Sequence, residues 1–125
     1  MNKEQFADYV GSFNRSDFEG FGKYYADDVL VDLPSGQLRG RAAVLDFYRK
    51  VKARVRETLT INQLVMDEGG IGVEMATEFY CMEDWPDFVV RPMKKGDVIN
   101  MVSFILYRLR DGKIAHVRAA RHKMS

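Results

Sequence analysis

Val98-Ile99-Asn100-Met101-Val102-Ser103-Phe104-Ile105-Leu106-Tyr107-Arg108-Leu109-Arg110 runs directly into Asp111-Gly112 and then into Lys113-Ile114-Ala115-His116-Val117-Arg118-Ala119-Ala120-Arg121-His122. The first run is rich in β-branched and aromatic residues and too short for a membrane span. Asp-Gly supplies the two positive-φ residues of a type I′ turn, so the two runs predict a tight antiparallel hairpin over Val98–Arg110 and Lys113–His122. Side chains alternate between strand faces. On the first strand the odd face carries Ile99, Met101, Ser103, Ile105, Tyr107 and Leu109. The even face carries Val98, Asn100, Val102, Phe104, Leu106 and Arg108. Both faces are mostly apolar, so both need covering.

Working backward, Gly72–Met82 and Thr58–Met66 read as two more strands joined by the turn residues Asp67-Glu68-Gly69-Gly70. In Gly72–Met82 the odd residues Val73, Met75, Thr77 and Phe79 form one face, and Glu74, Ala76, Glu78 and Tyr80 the other. The result is an antiparallel meander. Between its hairpins lies Glu83–Gly96, with Trp85-Pro86, Phe88-Val89-Val90 and Pro92. This segment extends the neighbouring hairpin, covers a pocket mouth, or packs on a partner.

The front of the chain reads as helices. Phe6, Tyr9, Val10 and Phe13 recur at helical spacing within Lys3–Asn14. Ser16-Asp17-Phe18-Glu19 has the Ser-x-x-Glu pattern of a capping box, opening a short helix that ends near Ala26-Asp27-Asp28. Val29–Leu33 is a strand stopped by Pro34-Ser35-Gly36. After Gly40 a third helix presents Val44, Phe47, Tyr48, Val51 and Val55 on one face. Arg49, Lys50, Lys52, Arg54 and Arg56 form its other, solvated face. Helices grouped before a meander predict an α+β fold with the helices on one side of the sheet. They leave the even face uncovered, which predicts a homodimer through the outer sheet face.

Composition agrees with a globular protein. Of 125 residues, 46% are hydrophobic and 30% charged, which excludes a disordered chain. One domain over 1–125 is expected, and such a domain buries about two-thirds of its unfolded surface. The net charge of +1 supplies no field to recruit nucleic acid or a membrane surface. The single Cys81 excludes an intramolecular disulfide framework, and no His/Cys cluster has metal-site spacing. The polar start and the lack of a long apolar run predict a soluble cytoplasmic protein.

Tyr9-Val10, Asn14, Asp17, Tyr25-Ala26-Asp27-Asp28-Val29, Val31 and Pro34 continue into Gly40-x-Ala42-Ala43-Val44, Phe47-Tyr48 and, later, Asp111-Gly112-Lys113-Ile114. This pattern resembles the ketosteroid isomerase branch of the nuclear transport factor 2-like superfamily, which includes the SnoaL-like polyketide cyclases. The resemblance spans nearly the whole chain. It implies a cone-shaped curved antiparallel sheet, cystatin-like, with three N-terminal helices enclosing a pocket. It also implies that Tyr9 occupies the place of the isomerase tyrosine that donates to the substrate oxyanion, with Tyr25 and Tyr48 behind it. A relay of phenols of this kind stabilises developing negative charge in a dry pocket.

The acids depart from that pattern. Isomerases carry their catalytic aspartate just before the strand-ending proline, where this chain has Leu33, and the acid stands one residue earlier at Asp32. A one-residue step turns a strand side chain to the other face. Asp32 therefore reaches the pocket only through a bulge or a shifted pairing, and is otherwise a surface or interface carboxylate. The second isomerase aspartate has no counterpart in Ser103–Tyr107. Arg121 aligns with a pocket-lining position, where a cation would hold an anionic or enolate-like ligand.

The resulting expectation is a SnoaL-like pocket for a small hydrophobic or aromatic metabolite. Its lining comprises Tyr9, Phe13, Tyr25, Leu33, Phe47, Tyr48, Met75, Thr77, Phe79, Met101, Ser103, Tyr107 and Arg121. If catalytic, it works without cofactor or metal, as an isomerase, cyclase or dehydratase moving a proton, with Tyr9 at the oxyanion and Asp32 as the base. A non-catalytic binder and an assembly module using the outer sheet face are the alternatives. His116 and His122 read as interface or surface groups. Arg91, Lys94 and Asp97 either flank a pocket mouth or are simply solvated.

Overall fold

The computed structural model describes residues 1–125. Three helices and six strands follow one another as α1 (Lys3–Asn14), α2 (Phe18–Gly22), β1 (Tyr25–Leu33), β2 (Gly36–Arg39), α3 (Arg41–Arg54), β3 (Val55–Met66), β4 (Gly70–Cys81), β5 (Val98–Arg110) and β6 (Lys113–Met124). The strands form one sheet in the order β2-β1-β6-β5-β4-β3. All neighbours are antiparallel except β1 and β6, which run parallel. The expected meander is thus β3–β6, and β1 with its short partner β2 extends it to six strands. No helix is long and apolar enough to cross a membrane.

Local chemistry explains most boundaries. Asn2 caps α1, its side chain accepting from the Gln5 amide while the Gln5 side chain accepts from the Asn2 amide. The second helix is shorter than expected and is capped by Asp17, whose carboxylate accepts from the Gly20 amide at 2.9 Å. Ser16 instead takes a left-handed φ of 57° and turns the chain between α1 and α2. Tyr25 and Ala26 consequently belong to β1 and not to α2. Residues Asp111 and Gly112, with φ of 52° and 74°, make the turn predicted for them.

The helix-to-strand junction at Arg54–Val55 has no intervening loop. Val55 adopts φ −128° and ψ 127° and begins β3. The strand therefore starts three residues earlier than the sequence suggested, and Val55, Glu57, Leu59 and Ile61 lie on its inner side. Register shifts at Ile61/Gln63, Val102/Ser103, Arg108/Leu109 and Tyr25/Leu30 bend the sheet. The helices cover its concave face.

Two apolar clusters result. The larger joins Phe6, Tyr9, Val10 and Phe13 of α1 to Phe21, Tyr25, Val29, Met75, Tyr107 and Ile114. The smaller joins Val51 and Val55 to Phe79, Cys81, Phe88, Met93 and Ile99. Glu83–Gly96 is thereby anchored. Trp85 and Met93 exchange backbone hydrogen bonds of 2.8 and 3.0 Å, and Trp85 stacks on Phe88 with ring centroids 4.9 Å apart.

Candidate functional site

Between the helices and the sheet a cavity of about 350 Å³ remains, within the range of small-molecule sites. Tyr9 and Phe13 enter it from α1, Tyr25, Val31 and Leu33 from β1, and Phe47, Tyr48 and Val51 from α3. Glu57 and Leu59 come from β3, Thr77 and Phe79 from β4, and Met101, Ser103, Ile105 and Tyr107 from β5. The wall is completed by Val117, Ala119 and Arg121 of β6. Phe88-Val89-Val90 also line it, so the irregular segment covers part of the pocket. Arg91, Lys94 and Asp97 do not line it. The Asp97 carboxylate instead accepts from the Lys94 amide at 2.9 Å.

Tyr9 is at the centre. Its hydroxyl lies 2.7 Å from that of Tyr25, one donating to the other. Its ring packs edge-on against Tyr25, Phe21 and Tyr107, with centroids 5.7, 6.4 and 6.0 Å away. Burial pushes the pKa of Tyr9, Tyr25, Tyr48 and Tyr107 well above the ordinary phenol value. All four thus remain neutral hydrogen-bond donors at any physiological pH. The expected third link of the relay is absent, however. Tyr48 packs edge-on against Phe13 and Phe47, at 5.0 and 5.1 Å, and makes no hydrogen bond to the other phenols.

Two expected site residues lie elsewhere. Met75 is fully buried within the larger core cluster and is not part of the cavity wall. Asp32 points away from the pocket. The register shift in β1 ends at Leu30, so normal alternation holds beyond it and places Val31 and Leu33 inward with Asp32 outward. Its carboxylate receives His116 Nε2 at 2.6 Å and Gln37 Nε2 at 2.5 Å. Arg108 donates to His116 Nδ1 at 3.2 Å, which fixes the imidazole proton on Nε2, facing Asp32. The His116 bond, then the Gln37 bond, hold the Asp32 carboxyl below its ordinary pKa. Asp32 is committed to this outer cluster.

The acid that does face the cavity is Glu57, which the sequence reading missed. It is 9% exposed and lies opposite Phe79 in the β3–β4 ladder. No buried side-chain oxygen is sealed without a partner, and Glu57 has no hydrogen-bond partner in the chain, so its carboxyl opens onto the cavity. Burial raises its pKa from 4.5 to about 7, opposed by the charge of Lys52. Lys52 is itself half-buried and not on a solvated face. It donates to the Phe13 carbonyl at 2.7 Å, and its ammonium sits 4.0 Å from the Phe13 ring centroid. A period-2 pattern of Val55, Glu57, Leu59 and Ile61 is the signal that reveals Glu57. It is hidden when Val55 is assigned to the helix.

A model of the SnoaL-like domain matches residues 6–117. The chain belongs to the SnoaL-like domain family. A comparison with curated proteins gives no match. Among solved structures, this SnoaL-like chain is similar to a candidate polyketide cyclase of Pseudomonas putida KT2440, with TM-score 0.82 and 21% identity over 95% of this chain and 90% of that one. A candidate polyketide cyclase of Xanthomonas campestris pv. campestris gives TM-score 0.80 and 24% identity over 93% and 86%. An epoxide hydrolase of M. tuberculosis, described as LEH-like, gives 0.76 and 13% over 95% and 80%. At these identities the likeness is one of fold, which bears out the cone-shaped α+β architecture. Family membership supports a small-molecule-binding protein.

Proposed function

We propose that this SnoaL-like protein holds a compact hydrophobic or aromatic carbonyl or phenol compound under the Tyr9–Tyr25 pair. The single observation behind this reading is a neutral, buried phenol pair at 2.7 Å in a mostly apolar cavity. With Tyr25 donating to Tyr9, the Tyr9 O–H is free to donate to a ligand oxygen, and the second phenol strengthens that donation as charge builds. Arg121, exposed and without an ion-pair partner at the cavity wall, favours a ligand oxygen that carries or acquires negative charge. Among the activities of this fold, cofactor-free proton transfer of the isomerase, cyclase or dehydratase kind uses such a site. The test is binding of 4-nitrophenol, followed by its absorbance, to the wild type and to Tyr9→Phe. The reading requires saturable binding that the substitution weakens, and equal affinity removes Tyr9 from the site.

The outer sheet face supports a second element of the reading, a homodimer. Val65, Val98, Phe104 and Leu106 stand 63%, 42%, 48% and 43% exposed there. Glu74 and Arg118 border the same shallow groove as Phe104 and Leu106, so a two-fold contact brings acid and base together around an apolar centre.

A further inference from the structure

Resting on the pocket reading above, we infer that Glu57 is the proton-transferring group of the cavity. It removes and returns a carbon-bound proton next to the carbonyl of a ligand whose oxygen is held by Tyr9. Three geometric facts carry this. Glu57 is more than nine-tenths buried, yet its carboxyl opens onto the cavity and nothing in the chain bonds to it. The nearest cation, Lys52, is engaged by the Phe13 carbonyl and forms no ion pair with it. The tyrosine pair comes from α1 and β1, and Glu57 from β3, so donor and acceptor enter one cavity from separate elements. A carboxyl buried for structural reasons alone is normally satisfied by hydrogen bonds or an ion pair. One kept free and facing a void is available to a ligand.

The step balances without a co-reactant. The Glu57 carboxylate takes the proton, the C–H electron pair becomes a carbon–carbon double bond, and the carbonyl π pair passes to oxygen, where Tyr9 donates. The carboxylic acid then returns a proton. Return to the same carbon exchanges it with solvent, and return to a conjugated carbon moves a double bond. The other titratable groups around Glu57 are Tyr48 and Lys52 from α3, Tyr9 from α1, Tyr25 from β1 and Tyr107 from β5, with Arg121 from β6 on the cavity wall. The four phenols stay neutral, burial lowers the Lys52 pKa, and burial places the change in Glu57's charge near neutrality, at about 7.

The test uses 2-tetralone, an aromatic ketone with acidic C1 protons, in deuterated buffer. Binding is measured by calorimetry and C1 exchange by proton NMR. The wild type should accelerate exchange over buffer, and Glu57→Gln should lose roughly a hundredfold of that acceleration while still binding the ketone. Tyr9→Phe should slow exchange but keep its pH midpoint. If Glu57→Gln does not fold, the wild-type midpoint is compared with the Glu57 carboxyl titration by carbon-13 NMR, and a mismatch overturns the proposal. Bound ketone exchanged equally fast by Glu57→Gln overturns Glu57 alone. Failure of the wild type to bind either 2-tetralone or 4-nitrophenol overturns the pocket reading and, with it, the role of Glu57.

Discussion

Lys52 turns its ammonium to the carbonyl of Phe13, 2.7 Å away, and leaves Glu57 without an ion-pair partner although the two face the same region of the interior. A salt bridge between them would satisfy both charges and lower the Glu57 pKa. Its absence keeps a buried carboxyl free to change its proton near neutral pH, at a cost in stability.

That cost is measurable. The folded-state pKa of Glu57 is raised from 4.5 to about 7, so the folded chain holds a proton that the unfolded chain has released. Stability therefore falls as pH rises from the unfolded pKa to the folded one, and is level above it. Glu57→Gln should remove this slope. At about pH 8 it should be more stable than the wild type by of order 3 kcal/mol, a rise in Tm of roughly 10 °C. At about pH 4 the two should melt together. Thermal melts across that range check it.

Tyr9→Phe removes one donor from the proposed ligand oxygen. The 4-nitrophenol affinity should drop about tenfold, corresponding to about 1 to 1.5 kcal/mol for one hydrogen bond. Titration followed by absorbance reads the change.

Asp32→Asn should leave 4-nitrophenol affinity within about twofold of wild type, the range expected of substitutions away from a site. The substitution acts instead on the outer cluster. Because the His116 and Gln37 bonds depress the Asp32 pKa, its stabilising contribution is full above the unfolded pKa of 3.8 and is lost as pH falls through the lower folded value. The variant should lack that acid-side dependence in urea melts.

Met75→Ala should cost about 2 to 5 kcal/mol, as large-to-small changes in a packed core do. Phenol affinity, measured at a temperature where the variant is folded, should change little, since Met75 lies outside the cavity wall.

Phe104→Glu places a charge on the outer sheet face. If a second copy covers that face, light scattering should show a dimer for the wild type and a monomer for this variant.

Strand faces and turn chemistry were legible because they are local. Alternation in Gly72–Met82 separates an apolar face from a mixed one, and Asp111-Gly112 marks its own hairpin. The tyrosines at 9, 25 and 48 were legible through family resemblance, and all three reach the cavity. The β2 strand was not, since Gly36–Arg39 is four residues of mixed polarity with a single half-buried position, Leu38. Neither was Glu57, because the helix pattern of α3 runs through Val55 and hides the start of β3.

The order of residues alone determined the helices, the meander and the inward-facing aromatic side chains, because period, capping and turn preference act over a few residues. Only the tertiary structure decided which carboxylate enters the hollow and which phenols touch. Those outcomes depend on strand register and on how closely separate elements approach, and a shift of one residue reverses the first while an ångström settles the second.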